Sequence, residues 1–144
     1  MEKDKHNLAR FKRAQEKDYK RALVEIKKGK KVSHWMWYIF PQLADLGHSN
    51  VAQYYGIDDL EEARAYVKDP VLGPRLEEVS RAFLSLRTND AEAVLGSIDA
   101  MKLQSSMTLF EAADPAAEVY SRILEKYFGG QRDHLTTLIL EERK

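Results

Sequence analysis

Residues 33–42 read SHWMWYIFPQ, and the fold class depends on whether they form a strand or a helix. Their aromatic content favours a strand, whereas Ser33 is a good helix N-cap and Pro41 a good helix stop. No second strand-like run exists elsewhere in the chain, and a lone strand would leave its backbone N–H and C=O groups unpaired. We therefore predict a short, largely buried helix here and an all-α fold.

Amphipathic periodicity predicts helices on both sides of this block. Before it, residues at helical spacing run from Leu8 to Ile26, and Gly29 follows two lysines as a typical helix C-terminus. After it, apolar residues at steps of three and four predict a strong helix that begins at Pro74. N-cap residues are expected at Ser49, Asp58, Asn89, Asp99, Asp114 and Asp133.

The expected architecture is a compact single-domain array of about seven to eight short helices without a sheet, over residues 1–144. Residues 1–7 are expected to form a frayed N-terminus. A composition of 44% hydrophobic and 32% charged residues excludes a disordered tail and a collagen-like repeat. The absence of cysteine excludes thiol catalysis, zinc–thiolate sites and disulfides. With no secretory signal and no apolar run longer than residues 35–40, we expect a soluble cytoplasmic protein.

Charge is unevenly distributed along a chain whose formal net charge is zero. Residues 1–31 hold 12 Lys or Arg against 5 Asp or Glu, a net charge of +7, and the remainder carries −7. The neutral total argues against a nucleic-acid coat protein. The basic first helix could nevertheless contact a polyanion, dock on the acidic remainder of the chain, or form a solvated face.

A family resemblance rests on several motifs: SHWMWYIFPQL at 33–43, PVLGPRL at 70–76, Lys102-Leu103 with SSMTLF at 105–110, and KYFGG at 126–130. The chain resembles the bacterial family catalogued as domain of unknown function 1810, sometimes mislabelled calpastatin, from about Leu8 to Leu140. The resemblance implies an all-α fold and a cytosolic bacterial protein, with no established activity. Asp69 stands where the family pattern has His.

The first set of candidate ligand-binding residues lies in the aromatic block: His34, Trp35, Trp37 and Gln42. So many aromatic side chains cannot all face one core from a short helix. They predict either an aromatic wall for a planar ligand such as a nucleobase, or a core with His34 partly exposed beside it.

The second set of candidates is Lys102, Ser105 and Ser106, which are neighbours at helical spacing. Lys102 could act as general base to a serine nucleophile, or hold an anion together with the hydroxyls. Alternatively, the serines allow close helix packing and Lys102 is exposed. Arg75 and Asp133 are added as further ligand contacts, Asp133 because it follows the flexible Gly129-Gly130 pair.

The leading functional hypothesis is a small-ligand-binding helical domain for a nucleotide or an ADP-ribose-type metabolite, and the sequence leaves open whether it is also an enzyme that acts on this ligand. The order of its motifs is faintly similar to that of helical N-glycosidases that act on such metabolites, although no Glu follows Ser33 as in those enzymes. The alternative is a non-enzymatic protein-interaction module that uses the aromatic block or the basic first helix. We expect no metal site, because the four histidines lack ligand spacing, and no cofactor.

Overall fold

The structure, a computed structural model, describes residues 4–143. Within that range it has nine α-helices and a 3-10 turn at Ala44–Leu46. The helices are α1 Ala9–Lys28, α2 Met36–Ile39, α3 Asn50–Tyr54, α4 Leu60–Lys68, α5 Leu72–Leu84, α6 Ala91–Leu95, α7 Ser97–Ala113, α8 Glu118–Phe128 and α9 His134–Glu142. Over the same residues the sole β-type pairing is an isolated bridge between Leu43 and Ile57. The all-α prediction is confirmed, with slightly more helices than expected.

Helix α7 occupies the centre of the array, packed against α4 on one side and α8 on the other, while α1 packs against α5. Its inward residues are Leu103, Met107 and Phe110, as the periodicity predicts. The short helix α2 is largely buried, again as predicted, although Trp35 rather than Ser33 precedes its first turn. In the part of the chain that the structure describes, no helix has the length and apolarity needed to cross a membrane.

Two of the predicted N-caps are correct. The side chains of Ser49 and Asp133 accept hydrogen bonds from the backbone amides of Ala52 and Thr136, at the starts of α3 and α9. Each therefore satisfies one of the backbone donors that a helix start leaves free.

Two other predicted caps are displaced by one residue. Asp59, not Asp58, caps α4 by accepting from the Glu62 amide, while the Glu62 side chain accepts from the Asp58 amide. Similarly, Asp90 rather than Asn89 caps α6. In both places two adjacent residues are good N-caps, so composition alone does not select between them.

The remaining helix starts differ because of the backbone. Helix α7 begins at Ser97, directly after Gly96, so Asp99 lies in its first turn and does not cap it. Gly96 has φ 87° and ψ 163°, a conformation that is essentially restricted to glycine. Asp114 precedes Pro115 and is extended, so a turn delays the start of α8 until Glu118. Helix α5 begins at Leu72, two residues earlier than predicted.

Part of the N-terminal segment 1–7 makes defined contacts. Its residues 1–3 lie outside the described range. Asp4 accepts hydrogen bonds from the backbone amides of Leu8 and Ala9 at 2.8 and 2.9 Å, in the manner of a helix cap. Lys5 pairs with Glu61 at 2.9 Å, so residues 4–7 are tied to both α1 and α4.

A buried arginine joins α1 to α4 and to the chain before it. The Arg10 side chain is 7% exposed, and its Nη2 lies 2.8 Å from Glu62 Oε2. The same guanidinium donates to four backbone carbonyls at 2.6 to 2.9 Å, those of His6, Asn7, Tyr54 and Gly56. We call this cluster of Arg10, Glu62 and the four carbonyls the Arg10 junction. It fixes residues 54–56, which directly follow the segment that forms one wall of the candidate site.

Candidate functional site

An open groove of about 470 Å³ lies between the segment 42–52, the N-terminal half of α7 and the start of α9. This volume is within the range of about 300–1,000 Å³ that is typical of small-molecule sites. We call it the α7–α9 groove. Its lining residues are Gln42, Leu46, Gly47, His48, Ser49, Ala52, Ile98, Met101, Lys102, Ser105, Asp133 and Leu135.

Helix α7 supplies the floor of the groove. Ile98, Met101, Lys102 and Ser105 recur at steps of three, one and three, so they share one face of the helix. The opposite face of α7 carries the central core residues.

The start of α9 is attached directly to α7. The backbone amide of Asp133 donates to Thr108 Oγ1 at 2.8 Å, and this hydroxyl donates in turn to the Gln104 carbonyl at 2.7 Å. These two bonds place the Asp133 side chain at the edge of the groove.

The third wall, segment 42–52, is held in place by backbone pairing. The Ala44 amide donates to the Ile57 carbonyl at 2.8 Å, and the Ile57 amide donates to the Gln42 carbonyl at 2.9 Å. Gly56 lies so close that a Cβ atom there would be 2.4 Å from Ala44 Cα. The wall is therefore preformed, with no space for a larger residue behind it.

Lys102 is the cation of the groove, and most of its hydrogen-bonding capacity is free. Its Nζ lies 3.6 Å from Asp99 Oδ1 and 5.3 Å from the centre of the Trp37 ring. Asp99 is engaged more closely by Lys31, at 3.0 Å. Within residues 4–143 the Lys102 ammonium donates no hydrogen bond, although it carries three donors. It is thus held in position but available to an anionic group.

The other polar groups of the groove also keep free capacity. Asp133 Oδ2 accepts from both the amide and the hydroxyl of Thr136, whereas Oδ1 has no hydrogen-bond partner among the described residues. Over the same part of the chain the Gln42 side-chain amide makes no hydrogen bond. Ser105 donates its hydroxyl proton to the Met101 carbonyl at 3.1 Å and can still accept.

Apolar side chains frame these polar groups and are unusually exposed. Ile98 is 71% exposed, Met101 68% and Leu135 57%. Scattered exposed apolar residues need no explanation, but three around one groove are typical of a surface that binds something.

Four of the nine predicted site residues line the groove: Gln42, Lys102, Ser105 and Asp133. A fifth, Trp37, is half-buried beside it in a recess of about 10 Å³ that shares Gln42, Ala52 and Lys102 with the groove. That recess has room for about one water molecule. The expected aromatic wall is therefore reduced to the single indole of Trp37, which lies beside the groove with Lys102 over its ring.

Trp35 and Ser106 are fully buried, which corrects the expectation that they face a ligand. Trp35 belongs to the core, and its Nε1 donates to Glu25 at 2.9 Å. Ser106 is on the inner side of α7, and its hydroxyl has no hydrogen-bond partner within the described residues. Neither side chain has exposed surface with which to contact a ligand.

His34 and Arg75 lie outside the groove. His34 is exposed, and its carbonyl accepts from the Tyr38 hydroxyl at 3.2 Å. The Arg75 guanidinium lies 5.1 Å from the centre of the Tyr19 ring and donates to Gln15 at 3.4 Å. Arg75 therefore connects α5 to α1, and it is not part of the groove.

The structure gives Lys102 no serine to activate. No hydrogen bond joins its ammonium to Ser105 or Ser106 in the described part of the chain, and the Ser105 proton is directed to a carbonyl. A nucleophile needs a base within hydrogen-bond reach, and this pairing is missing in the geometry seen. Among residues 4–143, no group of three or more His, Asp or Glu side chains is placed to hold a metal ion.

Sequence reasoning missed the apolar part of the groove and His48. Ile98 and Met101 carried a usable signal, because they are apolar but lie off the inward stripe of α7. Leu135 carried no such signal, because its local sequence does not distinguish it from an inward-facing residue of α9, yet it is exposed.

The helical array defines an all-α domain with an open groove on its surface, and comparison with known proteins identifies the family. Residues 5–140 match the family described as "Protein of unknown function (DUF1810)", and the chain belongs to it. The predicted resemblance is thus confirmed over nearly the whole chain.

A solved structure supports the fold. The chain is similar to the conserved hypothetical protein Rv1873 from Mycobacterium tuberculosis, with 42% sequence identity and a TM-score of 0.94. The match covers 96% of this chain and 99% of that one. A search among curated proteins finds no match.

Proposed function

We propose that the α7–α9 groove binds a small anionic ligand of the nucleotide or ADP-ribose type. One observation supports this most directly: a free ammonium, a free carboxylate oxygen and a free side-chain amide converge in one groove with apolar walls. A few polar groups with free hydrogen-bonding capacity, gathered between apolar walls, are the arrangement typical of a small-molecule site.

Each class of group in the groove matches one part of such a ligand. The Lys102 ammonium suits a phosphate, which it would bind as a point charge. Asp133 Oδ1 and the Ser105 hydroxyl are acceptors and suit the hydroxyls of a ribose. The exposed side chains of Ile98, Met101 and Leu135 suit the face of a base.

The proposal is one of binding, because the groove shows no nucleophile hydrogen-bonded to a base. A cytoplasmic location belongs to the same proposal, since it rests on the sequence-based expectation and on the class of ligand. The alternative interaction module loses one of its two surfaces, because most of the aromatic block is core. Its other surface, on the basic first helix, is considered below.

The test is a thermal-shift titration with ADP-ribose, AMP, NAD and inorganic pyrophosphate. A ligand at 100 times its Kd stabilises the folded state by about 2.7 kcal/mol, which corresponds to a rise in Tm of about 5–10 °C for a domain of this size. We expect such a rise with ADP-ribose and a smaller one with pyrophosphate, which lacks the ribose and the base.

Two variants localise the effect to the groove. Lys102→Met removes the charge but keeps an unbranched side chain, and Asp133→Asn removes the charge but keeps a good N-cap. Both should reduce the ligand-induced shift, whereas Lys68→Met, at an exposed lysine on α4, should leave it unchanged. A flat response of the wild-type protein to all four compounds would refute the proposal, as would equal shifts in all variants.

A further inference from the structure

A second surface, remote in sequence from the α7–α9 groove, lies along the C-terminal half of α1 and the loop that follows it. It forms a shallow groove of about 520 Å³. Its lining residues are Lys20, Arg21, Val24, Glu25, Lys28, Lys30 and Val32. We call it the basic surface. It combines four cations with two exposed valines, of which Val32 is 73% exposed.

The loop part of this surface is rigid. Glu25 Oε1 accepts hydrogen bonds from the backbone amides of Val32 and Ser33 at 2.8 and 2.9 Å, and Oε2 accepts from the Ser33 hydroxyl at 2.7 Å. The Lys31 amide donates to the Val94 carbonyl at 2.8 Å. Val32 is therefore presented to solvent on a fixed backbone, and a partner would not need to order it.

The positive charge of this surface is largely uncompensated. Glu25 is its single acid, and its carboxylate points inward to the loop amides and to Trp35. Arg21 has a loose contact of 3.6 Å with Asp18. Within the described residues Lys20, Lys28 and Lys30 have no acidic partner within ion-pair distance. Three neighbouring ammonium groups thus surround two exposed valines.

We propose that the basic surface docks an acidic segment of a partner protein that carries a short apolar side chain between its carboxylates. Carboxylates would pair with Lys20, Lys28 and Lys30, and the apolar side chain would lie between Val24 and Val32. The aliphatic stems of the lysines extend the apolar floor beneath their charged ends. Charge complementarity would set the orientation and the rate of association, and the valines would add affinity.

The residues that line the basic surface favour an acidic peptide over a nucleic acid or a lipid surface. Single-stranded nucleic acids bind through aromatic side chains on which bases stack, and no aromatic residue lines this groove. A helix that lies in a membrane surface buries its apolar face in the lipid, but the apolar face of α1 is buried in the protein core. An acidic segment that carries an apolar side chain can contact both the lysines and the valines of the basic surface.

The test uses fluorescence anisotropy with labelled synthetic peptides of equal length and charge. One peptide alternates Glu with Leu, the other alternates Glu with Ser, and a single-stranded DNA of similar length and phosphatidylserine vesicles serve as competing partners. We expect the Glu–Leu peptide to bind at least about tenfold more tightly than the Glu–Ser peptide. Binding of both peptides should weaken as salt is raised.

Two sets of variants separate charge from apolar contact. The triple variant Lys20→Gln, Lys28→Gln, Lys30→Gln should weaken the binding of both peptides. The double variant Val24→Thr, Val32→Thr should remove the preference for the Glu–Leu peptide. Lys68→Gln is the matched control and should change nothing. Circular dichroism and Tm verify that each variant is folded.

The outcomes are decisive in either direction. Equal affinity for the two peptides, tighter binding of the DNA or the vesicles, or no binding of the Glu–Leu peptide at millimolar concentration would each overturn the proposal. An effect of the control equal to that of the lysine variants would do so as well.

Discussion

Arg10 and Lys102 are both cations held by a carboxylate of the same chain, yet their surroundings differ completely. Arg10 pairs with Glu62 at 2.8 Å and donates to four backbone carbonyls. Lys102 approaches Asp99 at 3.6 Å and donates no hydrogen bond within residues 4–143. The first cation is completely used by the fold, whereas the second is positioned and left available.

This difference separates structural polar groups from candidate functional ones. A buried charge is tolerated when geometry is good and every donor has a partner, as in the Arg10 junction. Lys102, Asp133 and Gln42 differ from the Arg10 junction because they are only partly buried and keep free hydrogen-bonding capacity in the same groove. Free capacity in one preformed groove is what a ligand site requires.

The largest expected effect lies in the Arg10 junction. Arg10→Met should lower the free energy of unfolding by about 3–5 kcal/mol, because it leaves Glu62 as a buried charge without its partner. Urea unfolding followed by circular dichroism measures this. A loss below about 1 kcal/mol would mean that the junction does not differ energetically from a surface pair, and the comparison with Lys102 would fail.

The next effect depends on pH and concerns Glu25. Burial opposes its ionisation, but hydrogen bonds from Ser33, Val32 and Trp35 outweigh this and lower the pKa of Glu25 from 4.5 to about 2. A lowered pKa stabilises the folded state above pH 4.5, and this contribution is lost as the pH falls from 4.5 towards 2.

Glu25→Gln should therefore reduce stability at pH 7 by about 2 kcal/mol, after allowance for solvent screening. The gap between wild type and variant should narrow on acidification and be nearly closed at pH 2 to 2.5. Urea unfolding at a series of pH values tests this, and a gap independent of pH would contradict it.

In contrast to Arg10→Met, Lys102→Met should hardly change the free energy of unfolding. Its ion pair with Asp99 is loose and partly exposed, so we expect a change in unfolding free energy below about 1 kcal/mol. The same urea experiment measures it. A loss as large as that of Arg10→Met would show that Lys102 is a structural residue and would remove the contrast on which the site rests.

The smallest effect is expected at Ser106. Its hydroxyl is buried without a hydrogen-bond partner in the described part of the chain, so Ser106→Ala removes a polar group that the fold does not use. Stability should be unchanged or rise by up to about 1 kcal/mol, and the ligand-induced thermal shift should stay the same. A clear loss of the ligand-induced shift would mean that Ser106 contributes to ligand binding.

The fold could be predicted from the sequence because its signals are local. The periodicity of α1, α5 and α7 and the capping residues Ser49 and Asp133 act within a few positions of each helix. The start of α7 could not be placed, because Gly96 begins a helix through its unusual backbone conformation and not through a side-chain cap.

The candidate site was predicted only in part. Lys102 and Ser105 were selected for their chemistry and Asp133 for its position after two glycines. Tertiary packing brings all three together with Gln42. Which face of the aromatic block is buried depends on contacts distant in the sequence, such as that of Trp35 with Glu25. Residue type alone therefore could not separate Trp35, in the core, from Trp37, at the edge of the groove.

The most direct measurement is a two-dimensional ¹H–¹⁵N NMR titration of the wild-type protein with ADP-ribose. We predict saturable shifts at the amides of Met101, Lys102 and Asp133 and at the side-chain amide of Gln42, with no shift at Arg10. The same titration of Lys102→Met should give a Kd for ADP-ribose that is at least about tenfold higher. No shifts at millimolar ADP-ribose, or shifts confined to residues outside the α7–α9 groove, would contradict the proposed ligand site.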